Sequence, residues 1–113
     1  MSRVDISHDP TIDRFRKAVK DLYGDRVDRL VLYGSRARGD ATGDSDYDIA
    51  VFFRPDASQP MPDRRAIFAA LAVIQDQILE DTGAVINVLP MPATSWTKRT
   101  LLMHAIRSEG LEL

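Results

Sequence analysis

Apolar residues recur at spacings of three and four in the first part of the chain. A helix is predicted to begin at Asp9-Pro10, because aspartate caps free amides and proline is tolerated in the first helical turn. The helix is expected to end near Gly24. Its predicted buried stripe consists of Ile12, Phe15, Val19 and Leu22.

Two further helices are predicted later in the chain. One runs from Asp63 to about Asp81, with Gly83 as its C-terminal cap. The other begins at Thr94 or Ser95, continues to about Arg107 and stops at Gly110. Between the first two helices, the proline-rich segment 54–62 predicts an exposed connection. The apolar stripe of the second helix is Ile67, Leu71, Ile74 and Ile78, flanked by Phe68 and Leu79, and that of the last is Leu101, Leu102, Ala105 and Ile106.

Short runs rich in Val, Ile, Leu and Tyr predict three strands, at Val27 to Tyr33, Tyr47 to Phe53, and Ala84 to Leu89. Pro90-Met91-Pro92 is expected to end the third. The element order predicts an α/β (α+β) fold in which a mixed sheet of three or four strands is flanked by helices. The short segment between the first two strands leaves both an antiparallel pairing and a parallel crossover open, whereas the long helix before the third strand would allow a parallel crossover.

Composition and charge limit the possible functions. A chain of 113 residues fits one domain, here 1–113, with one modest core. The net charge of −2 gives no reason to expect direct nucleic-acid binding. The absence of cysteine excludes disulfides and thiolate chemistry, and the sequence shows neither a membrane-length apolar run nor a secretory leader. We therefore expect a cytoplasmic protein without membrane contact.

A candidate phosphate site follows the first strand. Gly34 lets the backbone approach a ligand closely. Ser35 is predicted to cap a short helix over about Arg36 to Arg38, whose start would offer free amides, and to add a hydroxyl. Arg36 or Arg38 could neutralise phosphate oxygens. A Gly-Ser pair after a strand is more often a simple turn, so this signal alone does not decide.

A pair of carboxylates begins the second strand. Asp46 and Asp48 should leave the same face, roughly 6.5 Å apart along the chain. A divalent cation such as Mg²⁺, bridging the phosphates of a nucleotide, would relieve their repulsion. The alternative is a solvated strand end, in which Asp44, Asp46 and Asp48 serve turns.

The combined motif GSRARGDATGDSDYDIAV resembles the signature of the DNA polymerase β-like nucleotidyltransferase superfamily, and within it the minimal nucleotidyltransferases. The resemblance implies that fold, with ATP as substrate and one or two Mg²⁺ ions. It implies that Arg38 contacts phosphate or the nucleophile as a catalytic residue. It further implies triphosphate or nucleotide binding by Gly34, Ser35, Arg36, Arg38 and Gly39, and metal binding by the catalytic Asp46 and Asp48.

The same resemblance implies a partner. Stand-alone members of this family resemble antitoxins that transfer AMP to a tyrosine of a HEPN-type ribonuclease toxin, so a hetero-oligomer with such a toxin is expected. One position departs from the pattern, because Asn87 stands where active relatives usually carry a third acidic residue that acts as base and metal ligand. An amide oxygen can bind a cation but brings no charge. Two alternatives therefore stay open: a binding module that neutralises its partner by complex formation, and a transferase acting on small molecules such as aminoglycosides.

Overall fold

A computed structural model describes residues 9–56 and 62–113. The connection predicted at 54–62 lies partly outside these residues. The helices are α1 (Pro10–Tyr23), α2 (Ser35–Arg38), α3 (Arg64–Thr82) and α4 (Leu101–Glu109), and short 3₁₀ helices cover Gly24–Arg26 and Ala93–Thr97. The strands are β1 (Val27–Tyr33), β2 (Tyr47–Phe53), β3 (Ile86–Pro92) and β4 (Leu111–Glu112).

The strands form one mixed sheet in the order β3-β2-β1-β4. The strand β1 pairs antiparallel with β2 and with β4, and β2 pairs parallel with β3. The fold class predicted from the sequence is therefore confirmed, and the question left open for the first strand pair is resolved as antiparallel. The long helix α3 provides the crossover that the parallel pair β2 and β3 requires.

The sheet is covered on both faces. On one face, the main core joins side chains of α1 and α3, such as Phe15 and Leu71, to alternate residues of β1 and β2, such as Leu32 and Ile49. On the other face, α4 packs over a smaller cluster of Val31, Ala50, Phe52, Met103 and Ile106. Because successive strand residues face opposite sides, Asp46 and Asp48 fall on the same side as Ala50, towards α4.

The predicted caps Asp9 and Gly83 are present, and Asp63, predicted as the first residue of its helix, is the cap residue that precedes it. The Asp9 carboxylate accepts a hydrogen bond from the Thr11 amide at 2.9 Å, and Asp63 accepts one from the Arg65 amide at 3.2 Å. Gly83 ends α3 in the left-handed conformation. Leu22 was expected in the buried stripe of α1 but is 49% exposed, near the point where the helix ends. Among the described residues, no helix is sufficiently long and apolar to traverse a bilayer.

Two predicted elements in the C-terminal half were wrong in extent. The third strand begins at Ile86 rather than Ala84 and continues through Pro90 to Pro92, because β3 is an edge strand and proline is tolerated where no ladder amide is needed. The last helix begins at Leu101, where the Thr100 hydroxyl accepts the Met103 amide at 3.1 Å. The buried face of this helix differs from the predicted stripe. Met103 and Ile106 are buried, whereas Leu101 is exposed.

The turn after β1 also differs from its prediction. Ser35 was expected to cap α2, but Gly34 is the cap residue, and its carbonyl accepts the Ala37 and Arg38 amides at 3.1 and 3.0 Å. Gly34 has a φ of 77° and a ψ of −159°, a conformation available essentially only to glycine. A Cβ here would stand 3.3 Å from Asp48 Cγ and closer still to its Oδ2. The turn therefore lies in direct contact with β2.

Replacing Gly34 by alanine tests this contact. Gly34→Ala adds backbone strain of about 1–3 kcal/mol and pushes a methyl group into Asp48, so we expect it to lower the free energy of unfolding by about 3 kcal/mol or more. Gly83→Ala is the control, because Gly83 also has a φ of 77° but no atom within 4 Å of its Cβ position. It should cost only about 1 kcal/mol. Urea unfolding of both variants measures the difference, and equal losses would contradict a close contact at Gly34.

Candidate active site

Three side chains from two neighbouring strands meet at one end of the sheet. Asn87 lies opposite Asp48 in the parallel pairing of β2 and β3, and Asp46 immediately precedes β2. The Asn87 side-chain amide, through Nδ2, donates to Asp46 Oδ2 at 3.1 Å and to Asp48 Oδ1 at 3.2 Å. The two carboxylates therefore converge on a single point, which the amide nitrogen occupies.

The arrangement suits a divalent cation. Two carboxylate oxygens directed at one point are the hard ligands that Mg²⁺ prefers, and the amide of Asn87 carries an oxygen that could join them. Within residues 9–56 and 62–113, no group of three or more His, Cys, Asp or Glu side chains could hold a metal ion. The donor set available here is thus two carboxylates and one neutral amide.

The candidate phosphate turn adjoins this carboxylate pair. Gly34 touches Asp48, and α2 begins directly after it at Ser35. The cap residue of α2 is Gly34, so no side-chain hydrogen bond from the cap position closes the start of this helix. Gly39 ends α2 in the left-handed conformation, and its amide donates to the Ser35 carbonyl at 3.0 Å. The structure therefore places Gly34, predicted to hold the triphosphate, against Asp48, predicted to bind the metal.

Arg38, predicted to be catalytic, lies on the surface in two ion pairs. Its Nε donates to Asp40 and its Nη1 to Glu109 at the end of α4, both at 3.2 Å. The hydrogen bond to Asp40, followed by that to Glu109, raises the pKa of the Arg38 guanidinium, which stays charged. Arg38 thus links α2 to α4 in this structure.

Arg36, predicted to bind nucleotide, is turned towards the backbone of the loop before β2. Its Nε donates to the Ser45 carbonyl at 2.9 Å and its Nη2 to the Gly43 carbonyl at 3.3 Å. Its guanidinium carbon lies 3.9 Å from the centre of the Tyr47 ring. These contacts join α2 to the loop that carries Asp46.

Tyr33 is a residue of the site that the sequence reasoning treated only as part of a strand. It lies opposite Asp48 in the β1 and β2 pairing. Burial, and then the charge of the Asp48 carboxylate, raise the pKa of the Tyr33 phenol, so its proton is retained at neutral pH. The signal was its position directly before Gly34, which becomes informative once the strand pair is known to be antiparallel.

Two curated relatives each match part of the chain. Both are from Methanocaldococcus jannaschii and carry the name "Putative protein adenylyltransferase". One is 39% identical over 46 residues, which cover 41% of this chain and 46% of the relative. The other is 37% identical over 43 residues, covering 38% of this chain and 43% of the relative. The matches thus span less than half the length of these curated relatives.

Solved structures share the fold at low sequence identity. A toxin–antitoxin with AMP-PNP superposes with a TM-score of 0.60 at 17% identity, covering 88% of this chain and 69% of that one. The toxin–antitoxin MntA-HepT gives a TM-score of 0.55 at 15% identity, covering 90% and 68%. A structure from Shewanella oneidensis gives 0.54 at 14% identity, covering 94% and 71%.

A family comparison covers most of the chain. Residues 12–107 match the family described as "Nucleotidyltransferase domain", a range that includes the turn, both aspartates and Asn87. The fold agrees with that of the solved structures. The chain therefore belongs to the nucleotidyltransferase domain family.

Proposed function

We propose that this protein uses Mg²⁺ to transfer AMP from ATP to a hydroxyl of a partner protein, and that the partner is a HEPN-type toxin which it serves as antitoxin. Family membership supports nucleotidyl transfer, the names of the curated relatives support a protein acceptor, and the toxin–antitoxin neighbours support the partner class. The observation that carries the proposal is the convergence of Asp46 and Asp48 beside the Gly34 turn.

The chain's own residues fit the task of holding a nucleotide and a cation together. Asp46 and Asp48 would bind Mg²⁺, which supplies charge neutralisation at the phosphates. The contact between Gly34 and Asp48 would place a triphosphate bound to that cation against the Gly34-Ser35 turn. Gly39 ends α2, the short helix that follows this turn. Arg38 stays charged and, if it exchanged Asp40 and Glu109 for phosphate oxygens, would stabilise the triphosphate.

In the proposed reaction, the acceptor hydroxyl oxygen forms a bond to the α-phosphorus of ATP, and the bond from that phosphorus to the pyrophosphate oxygen breaks. Pyrophosphate leaves, and the hydroxyl proton passes to a base. Asn87 cannot accept this proton at neutral pH. We therefore assign the base to the partner or to solvent. We also propose that the reaction takes place in the cytoplasm, which holds ATP.

The openness of the site supports a protein acceptor. Asp46 and Asn87 are exposed, and Asn87 lies on the edge strand β3. A cavity of about 230 Å³ beside it is bordered by Leu79 and Val85, which are 46% and 41% exposed. Apolar side chains next to a polar site suit a partner chain that covers the nucleotide and presents the acceptor, and we propose that the two chains form a hetero-oligomer.

Asn87 favours a second candidate function, a binding module that neutralises its partner without turnover. The Asn87 amide already satisfies both carboxylates, and no third carboxylate joins them among the described residues. A site of this kind could bind nucleotide weakly and transfer it slowly. The nucleotidyl-transfer assay therefore needs an arm without ATP.

The transfer is tested by mass spectrometry of the purified partner after incubation with the protein and Mg-ATP. The partner is expected to gain one or more AMP units. The double variant Asp46→Asn and Asp48→Asn should lower the rate at least 100-fold, because it removes both negative ligands. Asp44→Asn is the matched control, since it removes an exposed carboxylate from the same loop and should keep a rate near that of the unaltered protein.

Undiminished modification by the double variant would contradict the proposed site. A mixture without ATP separates the two functions. If unmodified partner is fully inhibited in the complex and gains no mass when Mg-ATP is added, the binding module is correct and the transferase is wrong.

Asn87→Asp tests the role of the neutral amide. Without Mg²⁺ the variant should be less stable by about 1–3 kcal/mol, because a carboxylate would replace the group that donates to both aspartates. Adding Mg²⁺ should then raise its melting temperature more than that of the unaltered protein, since three carboxylates bind the cation more tightly. Thermal unfolding with and without Mg²⁺ measures both effects, with Asn87→Ala as the control that loses the donor without gaining charge. Identical Mg²⁺ responses in all three proteins would contradict a cation site at Asn87.

A further inference from the structure

The Arg36 side chain binds the backbone of the loop that leads to Asp46. Its Nε and Nη2 donate to the backbone carbonyls of Ser45 and Gly43, at 2.9 and 3.3 Å. Ser45 is directly followed by Asp46. The side chain at the beginning of α2 therefore restrains the peptide that precedes the first carboxylate of the candidate site.

The Arg36 guanidinium also contacts the ring of Tyr47, which is anchored in the core. Tyr47 is 7% exposed, its ring lies 3.9 Å from the Arg36 guanidinium carbon, and its hydroxyl donates to Asp9 Oδ2 at 2.9 Å. Asp9 also caps α1. Arg36 thus bridges a fixed aromatic ring and the loop backbone, with Asp46 between Ser45 and Tyr47 in the chain.

The end of the loop is closed on itself. The Ser45 amide donates to the Thr42 carbonyl at 3.1 Å, and the Thr42 amide donates to Ser45 Oγ at 2.9 Å. These two hydrogen bonds hold residues 42–45 in a turn. A cavity of about 280 Å³ lies between this segment and residues 83–85 and is lined in part by Arg36. Removing the guanidinium would enlarge this space and free the loop.

We propose that Arg36 is a positioning residue, which fixes Asp46 for cation binding by holding segment 43–45 against Tyr47, and that it does not act as a nucleotide ligand. The effects of this inference on cation binding and on catalysis rest on the function proposed above, whereas the restraint of segment 43–45 by Arg36 does not. The planar fork of arginine donates in two directions while it stacks on an aromatic ring, which the compact ammonium group of lysine cannot do. The inference therefore separates arginine geometry from positive charge.

The test compares Arg36→Ala and Arg36→Lys with the matched control Arg54→Ala. Arg54 also donates from its guanidinium to two backbone carbonyls, those of Asp25 and Val27, but at the end of the β1 and β2 pair remote from Asp48. Mg²⁺ affinity is measured by calorimetry on the whole protein. Hydrogen exchange reports the loop directly through the Ser45 amide, which donates to the Thr42 carbonyl, and the Tyr47 amide, which donates to the Val85 carbonyl.

Both Arg36 variants are expected to bind Mg²⁺ about 10-fold more weakly and to exchange these amides faster, as is typical when a group that supports a metal ligand is lost. Arg54→Ala should leave both quantities unchanged. Where transfer is measurable, Arg36→Lys should lower kcat more than it raises the KM for ATP.

The opposite pattern would overturn the inference. If Arg36→Ala keeps normal Mg²⁺ affinity and amide exchange but raises the KM for ATP, and Arg36→Lys restores that KM, then Arg36 binds phosphate by its charge. Absence of AMP transfer by the unaltered protein would count against the proposed function alone. The affinity and exchange measurements would still decide the role of Arg36, and Arg36→Lys, which keeps the charge and the aliphatic stem, provides them if Arg36→Ala fails to fold.

Discussion

The parallel pairing of β2 with β3 is the constraint on which the candidate site depends. It sets Asn87 opposite Asp48 and allows one amide group to reach two carboxylates. A slip of one residue in this register would turn Asn87 to the face covered by α1 and α3 and remove it from the site. The crossover helix α3, whose buried stripe packs on that face, therefore secures the site as well as the core.

Around this pairing, three local contacts hold the carboxylates of Asp46 and Asp48 in place. The absence of a side chain at Gly34 lets the turn after β1 lie against Asp48. The Arg36 side chain restrains the backbone of the loop before Asp46, and the Asn87 amide donates to both carboxylates from the neighbouring strand. Two negative groups that would repel each other are thus kept close by a partial positive charge, and a divalent cation could take the place of that charge. The site is open at the sheet edge, which agrees with the proposed need for a partner chain.

The sequence was sufficient for the elements with strong local signals. The bounds of β1 and β2 follow from apolar runs that end at Gly34 and begin after Asp46. The helix α1 follows from its Asp9 cap, and α3 follows from its apolar stripe and its Gly83 cap. Edge pairing let β3 run through prolines that would end a central strand. Thr100, rather than the earlier Thr94 or Ser95, caps α4, and β4 has only two residues, too few for a periodic pattern.

The motif predicts that Asp46, Asp48 and the Gly34 turn act together, and in the structure Gly34 touches Asp48 while Asn87 donates to both carboxylates. The arrangement of the surrounding residues depends on contacts that no local pattern encodes. Asn87 reaches the carboxylates through strand register, Tyr33 lies beside Asp48 through antiparallel pairing, and the direction of Arg36 depends on the path of the loop. In each case, the residue was visible in the sequence and its contact was set by tertiary structure.

We propose that Asp46, Asp48 and Asn87 form one cation site beside the candidate phosphate turn at Gly34. An NMR titration with Mn²⁺ and a non-hydrolysable ATP analogue tests it most directly, because the paramagnetic ion broadens signals close to it. We expect selective broadening of the Gly34 and Asp46 amides and of the Asn87 side-chain amide, with loss of that broadening in the double variant Asp46→Asn and Asp48→Asn. Broadening centred elsewhere on the protein, or unchanged in the double variant, would contradict it.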